Sequence, residues 1–101
     1  MTYENIIRDF DEHISKSYRE SYGEFYIGIT SDIENRLFVQ HRVDREKQWW
    51  IYSPADTEDI AREVERHYLD LGMQGGAGGG RGDNSAIYVY CYVITSYTIE
   101  K

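Results

Sequence analysis

The sequence predicts an α+β domain, a small antiparallel sheet of about three strands flanked by about three helices. Three observations predict it. Apolar residues recur at helical spacing through residues 3–18 and again through residues 56–71. Residues alternate strictly between two faces through residues 24–30 and 86–95, the pattern of half-buried strands. The 101 residues suffice for one modest core and leave no room for a second, so residues 1–101 read as a single domain.

The first helix buries Ile6, Ile7, Phe10, Ile14 and Tyr18, with Arg8, Asp9, Asp11 and Glu12 on its other side, and Gly23 marks its stop. In the strand at 24–30, Phe25, Ile27 and Ile29 share one face while Tyr26, Gly28 and Thr30 share the other. Ser31, three residues before Glu34, has the capping-box pattern. It predicts a helix running to about Val43 and burying Ile33 and Leu37. Residues 44–48 are charged and loop-like, and residues 49–52 read as a short strand or a packed extended segment.

Asp56 is the candidate N-cap of the third helix, with Glu58 and Asp59 at the positive end of its dipole. Its apolar stripe is Ile60, Ala61, Val64, Tyr68 and Leu71, and Gly72 ends it. The loop at 74–84 holds six of the nine glycines. It lacks the Gly-Lys-Ser/Thr ending of a phosphate-binding loop, and it follows a helix, the reverse of the Rossmann order. In the last strand Ile87, Val89, Cys91 and Val93 face one way and Tyr88, Tyr90 and Tyr92 the other.

With 41% hydrophobic and 29% charged residues, the composition is that of a folded domain. The net charge of −7 has the wrong overall sign for binding phosphates, so a nucleic-acid reading requires locally clustered arginines and lysines. The one cysteine, Cys91, excludes an intrachain disulfide and a cysteine-based metal site. The sequence has no signal-peptide pattern and no apolar run of membrane-spanning length, and the expected setting is a reducing cytoplasm.

The stretch Tyr26-Ile27-Gly28-Ile29-Thr30-Ser31, followed by Arg36-Leu37, resembles the YIG half of the GIY-YIG nucleases. The arginine lies ten residues after the tyrosine, as in that family. The resemblance implies a metal-dependent endonuclease that hydrolyses DNA phosphodiester bonds. A tyrosine, Tyr26 or Tyr88, would help to activate water, and Arg36 would stabilise charge on the phosphate. Glu65 best matches the family's metal-binding glutamate, which implies Mg2+ or Mn2+. Asn84 matches an asparagine near the end of the domain. A histidine often follows the family's arginine by four residues; here that slot is Gln40, and His41 comes one residue later. The family's GIY strand normally precedes YIG by about ten residues and pairs with it. Its nearest counterpart here is the strand near the C-terminus, in a permuted order, with Tyr88 as the first tyrosine. Arg42, Arg45, Arg81 and Asn84 are the candidate DNA contacts.

Each residue also has a plain structural reading. Tyr26 also fits a half-buried strand tyrosine, Arg36 a surface arginine pairing with Asp32 or Gln40, and Glu65 a solvated partner of Arg62 or Arg66. His41 also fits an exposed histidine, and Asn84 a loop terminator. The acidic first helix leaves a second function open. That alternative is a non-catalytic inhibitor of phage type, anti-CRISPR or anti-restriction, occupying a basic nucleic-acid-binding protein. An oligomerising domain using Trp49 and Trp50 as contacts is a third.

Overall fold

The structure, a computed structural model, describes residues 1–75 and 87–100. Among these the order is α1 (Tyr3–Ser15), β1 (Phe25–Thr30), a π-helix (Glu34–Gln40), β2 (Trp50–Pro54), α2 (Glu58–Asp70) and β3 (Tyr88–Val93). The α+β class and the antiparallel three-stranded sheet are as the sequence predicts. No helix among the described residues is long and apolar enough to cross a membrane.

The last strand lies in the middle of the sheet, in the order β1-β3-β2. It pairs antiparallel with β1, which sets Tyr26 opposite Tyr92, Gly28 opposite Tyr90 and Thr30 opposite Tyr88. Its other edge pairs with β2, Trp50 opposite Tyr92 and Tyr52 opposite Tyr90. The neighbour relation between the YIG strand and the C-terminal strand is therefore present.

Alternation sorts the side chains into two cores. Ile27, Ile29, Val89, Cys91 and Val93 pack with Ile6 and Phe10 of α1 and Ala61, Val64 and Tyr68 of α2. The opposite face gathers Tyr26, Tyr90 and Tyr92 with Ile33, Leu37 and Val43 from the π-helix and its flanks. The tyrosine row thus meets the π-helix, while α1, whose apolar stripe needed a surface to cover, takes the aliphatic face. Neither tryptophan stands free: Trp49 packs edge-on against Phe25, and Trp50 stacks with Tyr52 and meets Phe38.

Helix starts differ from the predicted ones by local chemistry. Thr57, one residue after Asp56, caps α2 by accepting from the Ile60 N–H, and Asp56 instead pairs with the terminal amine of Met1. Ser31 does not cap the π-helix. Thr30 Oγ1 accepts the Asp32 N–H and Asp32 Oδ1 accepts the Asn35 N–H, so the turn is closed by its neighbours. Gly72, at φ 114°, ends α2 as expected.

Candidate active site

The site is built where the π-helix crosses the tyrosine face of β1 and β3. Its first requirement is Gly28. A Cβ there would sit 2.5 Å from Cζ of Tyr90, so only glycine lets the Tyr90 ring lie across β1. The ring runs parallel to that of Tyr92 and to that of Tyr26, with interplanar angles of 3° and 18°.

The second requirement is the π-helix. In an α-helix the residue four after Arg36 stacks over it, and that residue is Gln40. Here the His41 N–H reaches the Arg36 carbonyl at 3.0 Å, an i→i+5 bond. The wider turn brings His41 back under Arg36, and it buries the imidazole completely. The histidine that is one residue late in sequence is thereby on the arginine's face. It is not the exposed histidine of the plain reading. Arg42, next in the chain, takes a left-handed φ of 59° and turns the backbone away.

A directed chain of hydrogen bonds connects these groups. Arg36 Nε donates to Tyr90 Oη at 3.3 Å, and Arg36 Nη1 donates to Gln40 Oε1 at 2.6 Å. Tyr90 Oη lies 2.8 Å from His41 Nε2, and His41 Nδ1 lies 2.5 Å from the Ile99 carbonyl. A carbonyl can only accept, so Nδ1 carries the ring proton and Nε2 accepts from Tyr90. Tyr92 Oη, 3.0 Å from Nδ1, donates its own proton to Glu100 at 2.9 Å.

Burial disfavours the charge on Arg36, yet the phenol oxygens of Tyr90 and then Tyr26 outweigh it and raise the guanidinium pKa. Burial pushes the His41 pKa down, and the Arg36 charge pushes the same way against the Ile99 carbonyl and Glu100. The imidazole is therefore the neutral base at pH 7. Burial raises the Tyr90 pKa, opposed by its hydrogen bond with Arg36. A standing phenolate is disfavoured there.

The sequence candidates fall into place unevenly. Tyr26, Arg36 and His41 converge, with the Tyr26 ring 4.8 Å from the imidazole centroid. Tyr88 lies one same-face step along β3, opposite Thr30 and against Tyr52, and it is Tyr90 that joins Arg36 and His41. Glu65, half-buried on α2, is close enough for its charge to act on Tyr90, and it forms no ion pair with Arg36. Burial raises its carboxyl pKa, opposed by Arg62.

Arg45 is engaged elsewhere, paired with Glu34 and lying 3.9 Å over the Phe38 ring. Arg42 and Lys47 line a groove of about 590 Å3 with Asp44, Gln48, Thr95 and the exposed Tyr97. Arg81 and Asn84 lie outside the described residues. Tyr90, Tyr92, Ile99 and Glu100 are the members that sequence reading missed. The alternating tyrosine row was the one available signal, and it does not say which tyrosine meets Gly28.

No family model matches the sequence, and no curated protein or solved structure shows significant similarity to it.

A metal ion has a restricted choice of ligands. No group of three or more His, Cys, Asp or Glu side chains among the described residues could hold one. A single carboxylate with waters is an ordinary magnesium site, and Glu65 fits that pattern. Its carboxylate is partly withdrawn from water, and the Arg62 charge acts on it.

Proposed function

We propose that the chain is a small, metal-dependent endonuclease resembling the GIY-YIG enzymes, hydrolysing DNA phosphodiester bonds. One observation carries the reading: Tyr90 Oη is held between Arg36 Nε and His41 Nε2, with Tyr26 alongside. Arg36 is the half-exposed member of this group, and its guanidinium matches a phosphate oxygen pair in shape and charge. Water attacking the phosphorus gives a proton to Tyr90 Oη as the Tyr90 proton passes to His41 Nε2. The relay avoids a free phenolate, which burial makes costly. Arg36 meets the charge that builds on the phosphate. Glu65 would hold Mg2+ or Mn2+, which when bound supplies charge stabilisation at the leaving oxygen.

The test is cleavage of plasmid and oligonucleotide DNA with magnesium or manganese, comparing wild type with Arg36→Ala and Glu65→Ala. Wild-type cleavage lost in both variants supports the reading. No wild-type cleavage, or cleavage unchanged in both variants, sinks it.

One observation favours the inhibitor reading. Tyr26, Tyr90, His41 and Tyr92 are at most 3% exposed, with His41 bonded to Tyr90 and Tyr92 and the Tyr26 ring packed against all three, as in a purely structural core. The net charge of −7 then suits docking onto a basic nucleic-acid-binding protein. In that case the wild type cleaves nothing, and added protein releases DNA from such a partner in a gel-shift assay.

A further inference from the structure

The segment following β3 does more than close the sheet. Thr98 folds it into a turn: its Oγ1 accepts the Thr95 N–H at 3.0 Å and donates to the Thr95 carbonyl at 3.1 Å. The turn is tucked in, since Thr98 is 9% exposed. It delivers Ile99 to His41, and the two residues bond twice. The Ile99 N–H donates to the His41 carbonyl at 2.9 Å, and the Ile99 carbonyl accepts from His41 Nδ1. The exposed Ile99 side chain takes no part in either bond. Glu100 then receives the Tyr92 hydroxyl, which fixes the second oxygen beside Nδ1.

We propose that this segment sets the tautomer of His41, with Ile99 as a positioning residue that keeps the ring proton on Nδ1 and the Nε2 lone pair turned to Tyr90. The inference rests on the endonuclease reading for its catalytic consequence, but not for the tautomer itself. Neutral imidazole has two tautomers, and the one with its proton on Nε2 has no lone pair to receive the Tyr90 proton. A peptide carbonyl accepts hydrogen bonds and does not donate them, so it selects between the two as a water molecule cannot. The reciprocal bond from the Ile99 N–H holds the carbonyl in register with the ring.

The experiment is 15N NMR of the full chain carrying 15N-labelled histidine, at neutral pH, on wild type, Ile99→Pro and Thr98→Val. Proline removes the N–H that bonds the His41 carbonyl, and valine removes the hydroxyl that closes the turn. In the wild type His41 Nε2 is expected at the resonance of an unprotonated ring nitrogen and Nδ1 at that of a protonated one. In either variant that is folded by circular dichroism, the two resonances move toward an averaged mixture. With DNA as substrate, kcat falls by about 100-fold, the scale of one lost general base, while KM holds. A wild-type His41 protonated on Nε2 overturns the proposal without recourse to any variant. So does an unchanged pattern in a folded variant. A wild type with the expected tautomer but no DNA cleavage sinks the endonuclease reading alone and leaves the tautomer assignment standing.

Discussion

Gly28 and Tyr90 face each other across the β1–β3 ladder, and the Tyr90 phenol occupies the space where a Cβ at position 28 would stand. The glycine of the Tyr-Ile-Gly triplet is thus a spacer for a tyrosine more than sixty positions away in the chain. Gly28→Ala is expected to push the phenol off Arg36 and His41. Overpacking of this kind costs about 1–3 kcal/mol, which lowers the melting temperature by several degrees in a domain this size. Plasmid cleavage checks the displacement of the phenol and thermal unfolding the loss of stability. A variant with wild-type stability would show that the ring is not confined as described.

Tyr90→Phe keeps the ring and removes only its hydroxyl. Arg36 Nε then loses an acceptor, and the buried His41 Nε2 loses its donor. Leaving such a group unsatisfied costs about 1–3 kcal/mol. Tyr88→Phe removes a hydroxyl that takes no part in this network, so it should leave both stability and cleavage near wild type. Urea denaturation and a cleavage time course on the two variants separate the roles of the tyrosines.

Glu65→Gln separates function from stability. The folded state raises the Glu65 carboxyl pKa through burial, so at neutral pH the ionised group opposes folding. The amide should therefore raise the midpoint of thermal unfolding while abolishing magnesium-dependent cleavage. A lower midpoint would mean that the carboxylate has a structural partner instead.

His41 makes stability depend on pH. Its folded pKa lies below the ordinary 6.5, so as the pH falls through 6.5 the unfolded chain takes up a proton that the folded chain refuses. Stability is full above 6.5 and declines below it, with a slope of up to about 1.4 kcal/mol per pH unit until the folded pKa is reached. Denaturant unfolding between about pH 7.5 and 5, on either side of the ordinary histidine pKa, tests this against His41→Gln. The variant should lack that part of the slope. Identical slopes would place the pH response elsewhere.

On the proposed endonuclease reading, the groove of Arg42 and Lys47 is a candidate DNA contact. If it carries a strand, Arg42→Ala and Lys47→Ala weaken binding for all sequences alike, and each reduces the slope of log affinity against log salt by about 1. Arg45→Ala, already engaged with Glu34, should change that slope less. Fluorescence anisotropy over a salt series reads both.

Local periodicity was enough to place the two α-helices, the strands β1 and β3 and both faces of the sheet, because alternation and helical spacing are properties of neighbouring residues. It carried α1 on to Tyr18, which is exposed beyond the helix end at Ser15, and left residues 49–52 open between a strand and an extended segment. It put Phe25, Ile27 and Ile29 opposite Tyr26 and Gly28, and the two cores divide along that line. Tyr26 and Arg36 were singled out by the resemblance to the YIG half, not by periodicity. The choice of Tyr90 over Tyr88 was not available locally, since it depends on the register between β1 and a strand far along the chain. The return of His41 beneath Arg36 was hidden for a related reason. Helical spacing assumes a bond to the fourth residue, and here packing against the sheet favours a bond to the fifth. Ile99 carries its part through backbone atoms, which every residue has, so no side-chain pattern marks it. The sequence by itself determined that the Tyr26-Ile27-Gly28 strand leads to a helix carrying Arg36. Only the tertiary structure decided which tyrosine, histidine and carbonyl complete the group, because each comes into place through strand register, a widened turn or a backbone contact made at long range.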